Sequence, residues 1–195
     1  MKQKVELCLT GSGGQGIILG SIILGEAAIM NHKKAVQSQS YGPEARGGSS
    51  KAEVIISDDE IDYPKVQNTN LLLALTQEAL DKYAAETNED TVLLVDSSLR
   101  VPENIPAHKV VSIPILDTAN KVIGKPYVAN IISVGAINAI MKLVSDKILE
   151  NVVLHRVPKD TCEVNLRSLH EGYKLVESMK KNNDIEWVRA ETTLS

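Results

Sequence analysis

Short apolar runs alternate with longer helix-period patterns along most of the chain. Val5 to Leu9 reads as a buried strand, and Gln15 or Gly16 to Met30 as a helix. Lys34 to Tyr41 is a weaker strand, and Lys51 to Ser57 a third, closed by the turn Ser57-Asp58-Asp59. Leu71 to Leu75 and Thr91 to Val95 are further buried strands, and Val110 to Ile113 one more. Thr76 is placed to cap a helix from Gln77 to about Glu86. Val128 to Val144, Asp146 to His155 and Asp160 to Lys181 carry helical patterns, with Pro158 breaking the run between the last two. Strands of this length alternating with helices predict a three-layer α/β/α sandwich around a mostly parallel sheet. One domain over residues 1–182 and a polar tail over 183–195 are expected, with no repeat or linker.

Two of the helices are too apolar for an outer layer. IILGSIILGEAAIM carries one charge, Glu26, and VANIISVGAINAIM carries none. An all-round apolar helix is buried on every side. Either the chain's own C-terminal segments cover these helices, or a partner subunit does. The neutral polar groups Asn130, Ser133 and Asn138, on one helical face, lean the reading to an interface, where charge is depleted.

Composition narrows the function classes. The 195 residues are 43% hydrophobic and 24% charged, as in an ordinary globular domain. The net charge of −4 and 3% aromatic content give neither the basic groove nor the stacking rings of a single-strand nucleic-acid binder. Two distant cysteines, Cys8 and Cys162, cannot supply the four thiolates of an iron–sulfur cluster, and the four histidines show no metal spacing. No metal site is expected. The N-terminal run is not a signal peptide, and Ile17 to Met30 is too short to span a bilayer. A cytoplasmic location is expected.

Gly11-Ser12-Gly13-Gly14-Gln15-Gly16 fits G-x-G-x-x-G between a strand and a helix. Glycines there allow a tight turn and close approach, and a helix start offers free N–H groups to an anion. A dinucleotide site also needs an acidic residue about 20 positions on. The span from Asn31 to Pro43 holds none, so NAD fails its second requirement. A phosphate site and a ligand-free turn both stay open. The Walker pattern is missing its Gly-Lys-Ser/Thr.

The loop SYGPEARGGS, Ser40 to Ser49, is dense in special backbone geometry. Arg46 is a rigid charged fork suited to carboxylate or phosphate, and Gly47-Gly48 admits close approach. The plain alternative is a surface turn with Glu44 and Arg46 solvated. Asp96, at a strand end, reads as a turn cap for Ser97-Ser98 in preference to a ligand group. No nucleophile elbow and no His-centred catalytic set is present, so no catalytic residue is assigned.

GSGGQGIILGSIILGEAA and QSYGPEARGGSSKAEVIIS, followed by IDYPKV and NLLLALTQEALDKY, together resemble the gamma subunit of 2-oxoacid:ferredoxin (or other acceptor) oxidoreductases. The resemblance runs from about Val5 into the C-terminal helices and is strongest before Tyr83. SYGPEARGG leading into KAEVIIS is most similar to the 2-oxoglutarate type, with pyruvate and 2-oxoisovalerate types as alternatives. The resemblance implies an enzyme that decarboxylates a 2-oxoacid on thiamine diphosphate. Electrons leave through [4Fe–4S] clusters to ferredoxin or another acceptor, and the acyl group leaves on coenzyme A. It implies that the gamma chain holds neither thiamine diphosphate nor clusters and has no activity alone. Its partners are then alpha and beta subunits, with a ferredoxin-like delta in some assemblies. Under this reading Gly11, Gly13, Gly14, Gly16 and Arg46 are candidate contacts to the CoA phosphates. Tyr41, Gly47, Gly48 and Asn130 are candidate interface residues. The rival is a stand-alone nucleotide-binding α/β protein; a third reading is a scaffold whose glycine loop binds nothing.

Overall fold

The computed structural model describes residues 4–41, 49–107 and 109–181. Its six strands are β1 (Lys4–Ser12), β2 (Lys34–Tyr41), β3 (Ser49–Ser57), β4 (Leu71–Ala74), β5 (Val92–Asp96) and β6 (Lys109–Ile113). They form one sheet in the order β2-β3-β1-β4-β5-β6. β1, β4, β5 and β6 are parallel neighbours. β3 runs antiparallel to both β1 and β2, so the sheet is mixed.

Strand alternation sorts side chains onto two faces. Val5, Leu7 and Leu9 of β1 enter the larger core with α1 (Ile17–Met30), α4 (Ala129–Met141), α5 (Asp146–Arg156) and α6 (Cys162–Lys181). Cys8 faces the smaller core, closed by Ala79, Leu80 and Tyr83 of α2 (Gln77–Tyr83). Thr76 caps α2 as expected, accepting a hydrogen bond from the Ala79 N–H at 3.3 Å. The three layers are therefore present but unequal in thickness.

The charge-free helix α4 finds its cover within the chain. Along it, α6 lies in backbone contact: a Cβ on Gly135 would stand 2.2 Å from the Leu169 carbonyl oxygen. One on Gly172 would stand 2.1 Å from that of Ile132. The three neutral polar groups also have intrachain work. Asn130 donates to the Gly16 carbonyl at 3.2 Å, and Ser133 to that of Ala129 at 2.8 Å. Asn138 exchanges two bonds with the backbone of Val144. For α4 the interface reading gives way to the intrachain one. α1 is buried along most of its length, with Ile29 and Met30 exposed at its end.

Several boundaries differ from the sequence expectation. β1 extends through Gly11 and Ser12, which pair with Ser50 and Ser49, so the first glycine belongs to the strand. α4 stops at Met141 because Lys142 adopts φ 52 and Asn138 ties down the turn. Between β6 and α4 the chain makes α3 (Ile115–Asp117), a π-turn over Thr118–Ile123 and a 3-10 turn over Pro126–Val128. The expected tail at 183–195 lies outside the described residues, as do Arg46, Gly47 and Gly48. Among the described residues no helix is long and apolar enough to cross a membrane.

Candidate functional site at the carboxyl edge of the sheet

β1 is the strand where direction changes: β4 beside it is parallel and β3 antiparallel. Strand order also reverses at β1, with β2 and β3 on one side and β4 to β6 on the other, and ligands of open α/β sheets sit beyond the carboxyl ends of strands at such a reversal. The glycine turn leaves β1 at this edge. Because β3 is antiparallel, its start lies there too, with Ser49 paired to Ser12. β2 ends at the same edge, where Tyr41 pairs with Ser50. The two loops that the sequence singles out thus spring from neighbouring strands at one edge. Of the second loop, only these flanks fall within the described residues.

The four glycines have different causes. A Cβ on Gly11 would meet Gln15 Oε1 at 2.5 Å. That oxygen accepts the Ser12 N–H at 2.8 Å and closes the turn from inside. Gly16 has φ 71, and a Cβ there would meet Asn130 Nδ2 at 2.5 Å. Gly14 has φ 86, a left-handed geometry that favours glycine. Gly13 has neither reason: its φ is not positive, and a Cβ would find nothing within 4 Å. Its missing side chain serves no atom of the described chain. The turn opens α1 with no side-chain cap and no acidic residue in the first turn. The first N–H groups of α1 are therefore left without a side-chain cap among the described residues, as at helix starts that can take an anion.

Asn130, expected at an interface, lies inside the chain at 4% exposure and latches α4 to the glycine turn. Its Oδ1 is buried with no hydrogen-bond partner among the described residues, and so is Ser49 Oγ at the same edge. Ser49 N–H donates to Glu78 Oε1 at 3.2 Å, a contact with no short-range signal in the sequence.

Two buried carboxylates are structural. Asp96 accepts the Ser98 N–H at 2.9 Å and the Leu116 N–H at 2.7 Å, fixing the turns after β5 and β6. The capping reading holds. Glu6 escaped the sequence reading because its donors come from residues more than 60 positions away. Its Oε2 accepts the N–H groups of Gln67 and Asn68 at 2.5 and 2.8 Å, and Lys4 Nζ stands 2.5 Å from its Oε1. Burial pushes this carboxyl up, but Lys4 and the two N–H groups outweigh burial and hold it below its ordinary range. Burial pushes the Cys8 thiol up to about 12, which leaves it neutral and unreactive.

The topology disposes of the NAD reading. A dinucleotide fold needs a second parallel strand beside β1 to carry the ribose acid. Here β3 occupies that place in the opposite direction, and β2 follows outside it. The fold and edge define an open-sheet α/β domain with an anion-compatible turn and, among the described residues, no catalytic constellation.

Comparison with known proteins makes this specific. The chain belongs to the pyruvate ferredoxin/flavodoxin oxidoreductase family, whose sequence model matches residues 6–175. It is 44% identical over 182 residues to the 2-oxoglutarate synthase subunit KorC of Methanocaldococcus jannaschii, covering 92% of this chain and 97% of that one. The keto/oxoacid ferredoxin oxidoreductase gamma subunit from Geobacter sulfurreducens has a similar structure. Its TM-score is 0.80 at 45% identity, covering 89% of this chain and 99% of that one. The 2-oxoglutarate:ferredoxin oxidoreductase of Magnetococcus marinus, solved with 2-oxoglutarate, coenzyme A and succinyl-CoA bound, shares the fold. Its TM-score is 0.80 at 18% identity, over 91% of this chain and 32% of that one.

Proposed function

We propose that this chain is the gamma subunit of a cytoplasmic 2-oxoglutarate oxidoreductase, and that its glycine turn lies on the CoA side of the active site. The assembled enzyme decarboxylates the 2-oxoacid, passes its two electrons to ferredoxin or another acceptor, and releases succinyl-CoA. With two cysteines, one of them buried and neutral, the chain lacks a cluster's ligand set. The [4Fe–4S] clusters are therefore assigned to the alpha and beta partners, with a ferredoxin-like delta where present, and thiamine diphosphate is assigned to those partners on the family resemblance alone.

CoA supplies the acyl-accepting thiol and a set of phosphates. The chain's own contribution is positional. Gly13 and Gly14 leave open space at the turn. The uncapped start of α1 offers N–H donors to a phosphate, and Arg46 adds the cationic fork. Gly11 and Gly16 act indirectly, keeping Gln15 and Asn130 packed so that the turn holds its shape. Gly13 carries this reading, since no atom of the described chain requires a glycine there. Tyr41, Gly47 and Gly48 are assigned to the contact with partner subunits.

The test is the reconstituted complex carrying Gly13→Ala, assayed by viologen reduction with CoA and 2-oxoacid varied in turn. A raised apparent KM for CoA, with KM for 2-oxoglutarate and subunit content unchanged, is expected. Unchanged CoA dependence in both Gly13→Ala and Arg46→Ala complexes would remove the CoA assignment.

A further inference from the structure

The starts of α1 and α4 meet at the carboxyl edge. β1, β4, β5 and β6 run parallel, so the segment that leaves β6 emerges at the same edge as the glycine turn. The bond from Asn130 Nδ2 to the Gly16 carbonyl at 3.2 Å joins the two helix starts. Neither start has a side-chain cap or an acidic residue in its first turn. Asn130 is 4% exposed, and its Oδ1 has no hydrogen-bond partner among the described residues. An acceptor is thus left here for a donor from outside them. Tyr127 precedes Asn130 by one helical turn, about 5 Å along the rise of that segment.

The segment before α4 is exposed but braced. The Lys125 N–H donates to the Ala119 carbonyl at 2.8 Å, and Arg167 Nη2 to the Val122 carbonyl at 3.1 Å. Pro126 fixes the backbone at the head of the 3-10 turn. On this frame Lys125 is exposed and makes no ion pair among the described residues, whereas Lys121 nearby is taken by Asp117 at 2.7 Å. Tyr127 is 53% exposed. A free cation and a ring on a rigid frame suit a ligand that carries a phosphate and a flat base. We infer that Lys125 and Tyr127 hold the adenosine 3′-phosphate end of CoA. Lys125 takes the 3′-phosphate, the Tyr127 ring stacks on the purine, and the glycine turn takes the diphosphate. This rests on the CoA assignment made above. The division follows from reach: glycines and backbone N–H groups admit an anion at close range, while a purine needs an aromatic face and an outlying phosphate a long, mobile cation.

The reconstituted complex tests this with two acyl acceptors, CoA and 3′-dephospho-CoA, which share the thiol and differ by one phosphate. Wild type should show the lower apparent KM for CoA. Lys125→Ala should raise the KM for CoA roughly tenfold, the effect of a lost charge-assisted hydrogen bond, and move that for 3′-dephospho-CoA far less. The two acceptors then become nearly equivalent. Tyr127→Ala should raise both values roughly tenfold, because stacking serves either nucleotide, and Tyr127→Phe should restore both. The KM for 2-oxoglutarate and the subunit content should stay at wild-type values. If wild type uses the two acceptors equally, or Lys125→Ala still separates them as wild type does, while Gly13→Ala raises the KM for CoA, this inference falls and the CoA assignment stands. If Gly13→Ala and Arg46→Ala also leave CoA dependence unchanged, the assignment itself falls. Loss of partner subunits from the Lys125→Ala or Tyr127→Ala complex would make the segment a subunit contact and overturn the inference.

Discussion

Gly13→Ala and Gly16→Ala separate ligand approach from folding within one turn. At Gly13 the added methyl meets open space and no left-handed backbone, so stability should change by less than about 1 kcal/mol while CoA use suffers. At Gly16 the same methyl faces φ 71 and the Asn130 side chain. The backbone alone costs about 1–2 kcal/mol, visible as a lower denaturant midpoint. Asp96→Ala strips acceptors from the Leu116 and Ser98 N–H groups; Ser98 is exposed and can turn to water, so the cost of about 1–3 kcal/mol falls on the Leu116 donor. Glu6 gives a pH signature. Its carboxyl sits below its ordinary range, so the carboxylate stabilises the fold above the unfolded-state value, and that stability drains as pH falls through the folded-state value. Glu6→Gln should be less stable at neutral pH and show a shallower acid limb. Asp96 was legible from its place at a strand end before two serines, whereas Glu6 was not, because its donors are assembled by tertiary contact.

The helices and strands show what one-dimensional pattern carries. Short apolar runs located every strand but β2, which is mostly polar and read only as a weaker strand, and Thr76 marked the start of α2 by its own side chain. The segment from α3 to α4 went unread because π and 3-10 turns have no steady hydrophobic period. The direction of β3 was also hidden: the pattern shows that a strand exists, not which neighbour it joins. The α4–α6 crossing is the element-scale test. Gly135 and Gly172 look ordinary in sequence, yet each meets backbone of the facing helix. Gly172→Ala should push the helices apart at a cost of about 1–3 kcal/mol or more, read as a lowered unfolding midpoint. Because α6 covers α4, the loss should expose apolar surface and promote aggregation of the isolated chain.

At the scale of the whole molecule, the sheet divides its labour by edge. The carboxyl edge gathers the glycine turn and both flanks of the SYGPEARGG loop. The opposite edge holds a polar hollow of about 580 Å³ lined by Asn68, Asn70, Thr87 and Asn88, away from that chemistry. Pairing of the two loops was legible because the family resemblance joined them, and the register of Ser12 with Ser49 supplies its physical basis. The central claim is a chain that is inert alone and required in an assembly. It is tested most directly by viologen reduction with a panel of 2-oxoacids plus CoA, using the partner subunits with and without this chain. The account predicts CoA-dependent activity only in the complete assembly, greatest with 2-oxoglutarate. Activity from this chain alone, or full activity of the partners without it, would contradict the account.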